Sequence, residues 1–199
     1  MLIIGITGTL GAGKGTVVEY LTEHKQFNHY SVRAYLLEEI RRRKLPENRD
    51  SMVLVANDLR HKHSPSYVTD QLYFEALEKG QNCIIESIRT PGEITSLREK
   101  GDFFLFAVDA AQEIRYQRIF DRKSETDHIS FETFLENEAR EMTTTDPGKQ
   151  NLQACIRQAD FLLNNNGTRD DLFKQVETIL AKILTNNHGK PHIFTSFLG

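Results

Sequence analysis

Apolar residues in this chain form two patterns, which are short continuous runs and longer segments with helical spacing. The continuous runs are bounded by glycine or polar turns, as is typical of buried strands. They cover residues 1–7, 27–32, 82–87, 103–108 and 161–163. Segments with helical spacing separate them, and this alternation predicts a parallel sheet covered by helices on both faces. Ligands of such folds bind at the carboxyl ends of the strands.

Between the second and third predicted strands, residues 31–80 are mostly helical. Ser31 is placed as an N-cap for the first of these helices. Ser64 and Pro65 indicate an N-cap and a first-turn proline for the last, which Gly80 ends. Because this stretch is long for a simple crossover, it predicts a helical flap over the sheet edge that encloses a second substrate.

The first predicted strand leads into a glycine-rich segment, Gly8-Thr9-Leu10-Gly11-Ala12-Gly13-Lys14-Gly15-Thr16, and then into a helical pattern. A strand, a glycine loop with a lysine and a helix form the phosphate-binding P-loop arrangement. Glycines let backbone N–H groups surround a phosphate without Cβ clashes, and the helix N-terminus adds positive charge. We expect Lys14 to reach the terminal phosphates of ATP. The residues expected to bind this cofactor are Gly8, Gly11, Ala12, Gly13, Lys14, Gly15 and Thr16.

The loop departs from the general pattern directly after the lysine, where Gly15 stands in place of Ser or Thr. Thr16 follows, and the order Gly-Lys-Gly-Thr is that of the adenylate kinases. We therefore assign the magnesium-binding hydroxyl to Thr16. ATP and Mg²⁺ are the expected cofactors.

Composition restricts the classes of partner. The chain has 199 residues and a net charge of -3, which suits one α/β domain and lacks the basic surplus of a nucleic-acid-binding protein. No apolar run approaches the length of about 18 residues that spans a membrane, and the N-terminus enters a strand without room for a signal peptide. We expect a cytoplasmic protein with no membrane or nucleic-acid partner. Cys83 and Cys155 lack metal-ligand spacing, and Cys83 lies in a strand pattern that predicts a buried thiol.

Four segments resemble the adenylate-kinase branch of P-loop kinases, and above all its adenylate-kinase-related group often labelled dephospho-CoA-kinase-like. These segments are residues 8–16, 31–36 and 86–91 and the pair Arg118 and Arg122. The resemblance implies a P-loop NTPase three-layer sandwich with a five-stranded parallel sheet, a helical acceptor-binding insertion and a small lid. The implied kinase domain is residues 1–184, with its core at 1–30, 81–121 and 151–184, the insertion at 31–80 and the lid at 122–150, followed by a tail at 185–199.

The resemblance also implies roles for single side chains. Glu86 matches an acidic residue that holds magnesium through water. Arg33 and Arg89 match arginines that bind the phosphate of the acceptor. Arg118 matches an arginine that packs on the donor base or contacts phosphate, and Arg122 matches one at the lid hinge that closes on the transferring group. The implied catalytic residues are Lys14, Arg89, Arg118 and Arg122, and the implied acceptor site is Ser31, Arg33, Leu36 and Arg89.

Simpler interpretations of these charges stay open. Arg89 can form an ion pair with Glu86 or Glu93. The arginines from Arg115 to Arg122 recur at a spacing that also describes a solvated helix face.

The chemical nature of the acceptor follows from the carboxylates available. A hydroxyl acceptor benefits from a carboxylate base, and hydroxyl kinases of this kind carry an aspartate at the end of the second strand. Here no carboxylate follows Ser31 before Glu38, whereas arginines are present. This favours a small phosphorylated acceptor, a nucleoside or deoxynucleoside monophosphate, unless Asp58 or Asp109 reaches the site.

Two other functions remain open at this point. One is phosphorylation of a hydroxyl group, as in dephospho-CoA kinases. The other is a nucleotide-binding regulatory module with weak ATPase activity. The apolar end of the tail is compatible with a partner, in an oligomer or on another protein, and equally with disorder.

Overall fold

The computed structural model describes residues 1–121, 130–146 and 149–187. It contains one sheet, whose strands are β1 (Ile3–Gly8), β2 (Asn28–Ser31), β3 (Cys83–Glu86), β4 (Phe103–Asp109) and β5 (Phe161–Asn164). The five strands are parallel and lie in the order β2-β3-β1-β4-β5. The predicted α/β class with a five-stranded parallel sheet is confirmed.

Nine helices connect and cover these strands in the described ranges. They are α1 (Lys14–Lys25), α2 (Val32–Arg42), α3 (Arg49–Lys62), α4 (Tyr67–Lys79), α5 (Pro91–Glu99), α6 (Gln112–Asp121), α7 (Phe131–Met142), α8 (Leu152–Arg157) and α9 (Arg169–Asn187).

The strand register brings polar residues to one edge of the sheet. Glu86 pairs with Ser31 on β2, and Asp109 pairs with Asn164 on β5. Gly8 ends the central strand at the same edge. The carboxyl ends of all five strands therefore surround the start of the glycine-rich loop, where ligands of parallel α/β sheets bind.

Two apolar clusters lie on opposite faces of the sheet, because successive side chains of β1 point to opposite sides. Ile3 packs with residues of α2, α3, α4 and α5. Ile4 and Ile6 pack with residues of α1 and α9. A Cβ at Gly5 would come within 2.6 Å of side-chain atoms of Ile88 and Phe103, so this strand position is closely packed.

The predicted N-terminus of α4 is wrong by a few residues. The helix begins at Tyr67 with Ser66 as its N-cap, so Ser64 and Pro65 form a turn ahead of it. Pro65 packs against α5, where a Cβ at Gly92 would come within 2.8 Å of the proline Cβ. This tertiary contact accounts for the later start. Gly80 ends the helix in a left-handed conformation, as predicted.

The predicted lid, residues 122–150, is described only in part. Its amphipathic segment forms α7, with Phe134 fully buried. Residues 122–129, 147–148 and 188–199 lie outside the described residues, and Arg122 and most of the tail are among them. The role of Arg122 and the proposed domain boundaries stay predictions.

Two further expectations concern the membrane and the thiols. No helix within the described part of the chain is both long and apolar enough to span a bilayer. Cys83 and Cys155 are buried, and burial raises the pKa of Cys83 to about 11 and that of Cys155 to about 12. Burial of Cys83 was predicted from its strand pattern, and the raised pKa of each thiol keeps it protonated at neutral pH.

Candidate active site

The glycine-rich loop follows a path that side chains would block. Gly8 has φ +140°, and a Cβ there would lie 2.1 Å from the carbonyl oxygen of Val108. Gly11 has φ +79°, and its Cβ would lie 2.4 Å from the carbonyl oxygen of Arg115. Gly13 is left-handed and directly precedes α1. The loop backbone therefore lies close to its neighbours and leads into a helix N-terminus, the arrangement that binds phosphate.

The Lys14 ammonium is held over this loop by the loop itself. Its Nζ donates hydrogen bonds of 2.8 Å to the carbonyl oxygens of Gly8 and Thr9. The Thr9 hydroxyl donates to Asp109 Oδ1 at 2.6 Å, and the Ala110 N–H donates to the same oxygen at 2.9 Å. Asp109 thus shapes the loop from the end of β4.

A cavity of about 420 Å³ opens beside the loop toward the β5–α9 turn. Arg118 donates from Nη2 to the carbonyl oxygen of Asn165 at 2.9 Å. Its Nη1 is buried and has no hydrogen-bond partner in the described part of the chain, so it can bind an anion or a polar ligand atom. The lining residues are Gly13, Thr16, Arg118, Asp121, Asn165, Gly167 and Arg169.

Asn165 is a site residue that the sequence does not indicate. Its side chain donates to the carbonyl oxygen of Ala12 at 2.8 Å, and its backbone N–H donates to that of Asp109 at 2.8 Å. It therefore fixes the loop from 153 residues away. The only local signal is its position just after a strand end, where sites of parallel sheets occur.

Glu86 ends β3 beside the loop and is ionised there. Its Oε2 lies 3.2 Å from His29 Nε2, and its Oε1 accepts from the Ser87 hydroxyl at 3.2 Å. Burial by itself would raise the pKa of this carboxyl. His29, the Ser87 hydroxyl and the Lys14 ammonium together outweigh burial and bring the pKa below its ordinary value.

These residues fit the predicted cofactor, Mg-ATP. Magnesium is usually bound by few protein oxygens and keeps waters and substrate phosphates as its other ligands. The Thr16 hydroxyl and the ionised Glu86 carboxylate supply oxygens of this kind. These two residues would hold the ion, which would supply charge neutralisation at the phosphates of a bound nucleotide. The loop amides and Lys14 suit the phosphates themselves.

A second cavity, of about 130 Å³, is lined by the loop residue Leu10 and by residues of α2, α3, α7 and the turn after β3. Arg33, Leu36 and Arg89 line it, as predicted for the acceptor site. Ser31 does not belong to the lining set, because its hydroxyl caps α2 by accepting from the Ala34 N–H at 3.2 Å. The described lining residues are Leu10, Val32, Arg33, Leu36, Arg49, Met52, Val53, Ala56, Arg60, Ser87, Arg89, Glu141 and Gln150.

Two further arginines of this cavity, Arg49 and Arg60, come from α3 and are not indicated by the sequence. Arg49 Nε, Arg60 Nη1 and Gln150 Oε1 are buried and lack hydrogen-bond partners among the described residues. Buried polar atoms without partners are costly and rare in native structures. The two guanidinium nitrogens lack acceptors, which the oxygens of an anion supply, whereas the Gln150 oxygen lacks a donor. The cavity residues therefore suit a polar ligand with both anionic oxygens and a donor group.

Glu141, from α7, is the carboxylate partner of this cluster. Arg89 and Arg49 donate to its two oxygens, one each. Burial would raise the pKa of Glu141, but the two guanidinium groups bring it below the ordinary value. Neither Glu86 nor Glu93 pairs with the Arg89 side chain, so the simple ion pairs that the sequence left open are wrong.

The turn that carries Arg89 is fixed by a capping box. The Glu93 carboxylate accepts from the backbone N–H groups of Arg89 at 2.7 Å and Thr90 at 3.0 Å. It also accepts from Arg60 Nη2 at 3.1 Å, with both side chains almost fully buried. Glu93 therefore positions two of the cavity arginines without facing the cavity.

The two aspartates that were candidates for a base do not enter this cavity. Asp58 forms ion pairs with Arg43 at 2.6 Å and Lys62 at 3.0 Å. Asp109 is bound to Thr9, as described above. Both carboxylates have structural partners, and neither lines the cavity.

Arg115 is neither solvated nor available to a phosphate. It is buried and donates to the carbonyl oxygens of Ala110 at 2.8 Å and Leu10 at 3.1 Å, and it also pairs with Glu138. It supports the loop from α6. Arg118, on the same helix, lines the cavity of about 420 Å³ beside the loop.

The glycine loop, the lysine over it and the strand order together define an α/β fold of the P-loop kinase type. Comparison with known families agrees with this assignment of the fold. The chain belongs to the AAA_18 family, whose model, described as AAA domain, matches residues 4–145.

Relatives and solved structures extend this match over nearly the whole chain. A UPF0200 protein of Methanocaldococcus jannaschii is 28% identical over 94% of this chain and 92% of its own length. A gluconokinase from Sinorhizobium meliloti shares the fold with a TM-score of 0.58 at 15% identity, covering 96% of this chain and 98% of its own. A shikimate kinase from Bacteroides thetaiotaomicron also shares the fold, with a TM-score of 0.52 at 11% identity. The match covers 92% of this chain and 98% of the shikimate kinase. At such identities the two kinases show the common fold alone.

Proposed function

We propose that the protein is an ATP-dependent phosphotransferase. It moves the γ-phosphoryl group of Mg-ATP to a small acceptor that already carries a phosphate, a nucleoside or deoxynucleoside monophosphate. The glycine loop with Lys14, Thr16 and Glu86 binds the donor and magnesium. The cavity with Arg33 and Arg89 binds the acceptor's phosphate.

The observation that carries this proposal is the cation content of the second cavity. Four arginines line it, against one carboxylate among its described lining residues. Buried N–H groups of Arg49 and Arg60 have no partner in the described ranges. Guanidinium groups bind phosphate oxygens in pairs, so a second phosphate beside the loop would satisfy them.

The relative position of the two cavities supports transfer between them. Leu10, inside the loop, lines the acceptor cavity, while Gly13 and Thr16, a few residues later, line the donor cavity. Phosphoryl transfer depends mostly on positioning and on neutralising charge. Two anion sites that share residues of one loop supply both.

A hydroxyl acceptor is the second candidate, because Glu141 places a carboxylate in the cavity. A catalytic base works best when its pKa lies near the working pH. The guanidinium groups of Arg89 and Arg49 instead lower the pKa of Glu141 and occupy both of its oxygens. This arrangement favours the phosphate acceptor over the hydroxyl.

An acceptor screen tests the proposal. The protein with Mg-ATP is assayed for ADP release with ribo- and deoxyribonucleoside monophosphates, dephospho-CoA, gluconate, shikimate and no acceptor. We expect stimulation by at least one monophosphate. Turnover with hydroxyl acceptors alone would replace the proposal with a hydroxyl kinase, and ADP release that no acceptor changes would leave a nucleotide-binding module.

Arg89→Ala then tests the acceptor site itself. Truncating one partner of a buried charged hydrogen bond costs about 2–5 kcal/mol, so kcat/KM for the monophosphate should fall roughly 30-fold to several thousand-fold. Affinity for ATP should be kept. Arg98→Ala is the matched control, since Arg98 is 42% exposed and pairs with Asp160 away from the cavity. Equal turnover of the two variants would show that Arg89 does not bind the acceptor.

A further inference from the structure

We propose that Glu141 determines acceptor specificity: its carboxylate bridges Arg49 and Arg89 where the acceptor's phosphate binds, so that only a dianionic phosphate displaces it. A monocarboxylate acceptor does not. This inference rests on the proposed function and assigns the cavity's selectivity to a residue of α7.

The contacts of Glu141 are those expected of an acceptor's anionic group. Its two oxygens accept from guanidinium groups on two separate elements, Arg49 on α3 and Arg89 in the turn after β3. The side chain is only 8% exposed. A buried carboxylate held by two arginines that line a ligand cavity occupies an anion site, and a ligand's phosphate competes with it for the same donors.

The size of the cavity points to the same conclusion. With Glu141 in place the cavity measures about 130 Å³, whereas pockets for drug-sized ligands usually measure about 300–1,000 Å³. A nucleotide therefore needs the cavity to widen. Because Glu141 holds both Arg49 and Arg89, its carboxylate is the lining group that the acceptor's phosphate displaces.

The charge of a ligand determines whether it can displace Glu141 from Arg49 and Arg89. A carboxylate ligand offers Arg49 and Arg89 one negative charge and two oxygens, which is what Glu141 already supplies. A phosphate monoester carries a charge of about −1.5 to −2 and three acceptor oxygens. Arg49 Nε and Arg60 Nη1 have no hydrogen-bond partner among the described residues, and the extra oxygen and charge supply an acceptor of the kind they lack. The exchange is therefore favourable for a phosphate and close to neutral for a carboxylate.

The test measures binding of two simple anions with the donor site blocked. The full chain is saturated with Mg²⁺ and a non-hydrolysable ATP analogue, so that the P-loop is occupied. Inorganic phosphate and acetate are then titrated calorimetrically into the wild type and Glu141→Gln. We expect the variant to bind phosphate about tenfold tighter or more, since Glu141 no longer competes, and to gain measurable acetate binding. Unchanged or weaker phosphate binding would overturn the inference.

Glu138→Gln is the matched control. It removes the same charge from the same helix, where Glu138 pairs with Arg115 outside the cavity. We expect its phosphate affinity to equal that of the wild type. An equal gain in both variants would mean that a loosened α7, and not the lost carboxylate, admits the anion, and this result would also overturn the inference.

A measurement on the wild type covers the case in which Glu141→Gln fails to fold. Hydrogen exchange of residues 131–142 is followed while phosphate is added to the analogue-bound protein. Displacement of Glu141 predicts faster exchange in α7 and no change in α9. Slower or unchanged exchange in α7 would contradict displacement.

The outcomes also separate this inference from the proposed function. If monophosphates support turnover while Glu141→Gln leaves phosphate and acetate binding as in the wild type, the inference fails and the proposed function stands. If no monophosphate supports turnover, both fail.

Discussion

The backbone at Gly11 adopts a conformation that most residues avoid. Its φ is +79°, and its position leaves no room for a Cβ beside the carbonyl oxygen of Arg115. Arg115 in turn donates to the carbonyl oxygen of Leu10 within the same loop. The loop is therefore held in shape by contacts with α6, and glycine is required at this position for space as well as for φ.

Gly11→Ala should destabilise the folded protein. A left-handed conformation costs a non-glycine residue about 1–2 kcal/mol, and the clash with the Arg115 carbonyl adds to that cost. Each kcal/mol lowers Tm by about 2–4 °C in a protein of this size, so we expect a decrease of at least about 2–8 °C. Calorimetry measures it.

Gly15→Ala is the comparison for stability, because in the described part of the chain no atom beyond its chain neighbours and its own helix lies within 4 Å of its Cβ position at the start of α1. We expect its Tm to match or slightly exceed that of the wild type, since alanine favours helix over glycine. If Gly11→Ala had the same Tm as the wild type, the contacts with α6 would not hold the loop in shape.

Residues whose chemistry is local were predictable, and those joined by long-range contacts were not. The P-loop lies within nine consecutive residues, so its spacing alone indicates phosphate binding. Arg49 and Glu141 are 92 residues apart, and Arg49 occupies an ordinary helical position. Nothing in the local pattern of α3 or α7 separates these charges from a solvated helix face, so only the fold shows that they meet.

Among the elements, α7 joins parts of the molecule that lie far apart in sequence. Glu141 pairs with Arg49 of α3 and with Arg89 of the turn after β3. Glu138 pairs with Arg115 of α6. Two carboxylates thus attach the helix to three other parts of the chain.

The stability that Glu141 contributes should depend on pH. Its pKa in the folded protein lies below its ordinary value because of Arg89 and Arg49, despite burial. A lowered folded-state pKa means that the contribution is complete above the unfolded pKa of about 4.3. It is lost as the pH falls through the folded pKa.

Urea unfolding of the wild type and Glu141→Gln between pH 7 and pH 3 tests this dependence. We expect the difference in the free energy of unfolding to be largest near neutral pH and to shrink in the acid range. A difference that stays constant over the whole range would show that the Glu141 carboxylate gains nothing from its arginine partners.

Element boundaries were predictable where the ends carry their own capping chemistry. Ser31 and Gly80 cap helices as their sequence positions indicated. The start of α4 was wrong because Pro65 packs against α5, and a local proline signal contains no information about that contact.

At the scale of the whole molecule, the alternation of strands and helices was sufficient to predict the parallel sheet. The order β2-β3-β1-β4-β5 was not predicted, because strand order depends on which strands pair and not on their sequence pattern. The fold is shared with a gluconokinase and a shikimate kinase. A shared fold does not identify the acceptor, so the proposed acceptor is inferred from the residues that line the cavity.

The central claim is that the cavity lined by Arg33, Arg49 and Arg89 binds a second phosphate beside the P-loop. The most direct measurement is a crystal structure of the protein with Mg²⁺, a non-hydrolysable ATP analogue and the monophosphate that is most active in the acceptor screen. We predict that the phosphate of the acceptor lies in this cavity, bonded to Arg89 and Arg49, with Glu141 displaced from both. A cavity in which Glu141 still bridges the two arginines at saturating monophosphate, with the nucleotide bound elsewhere or not at all, would contradict the account.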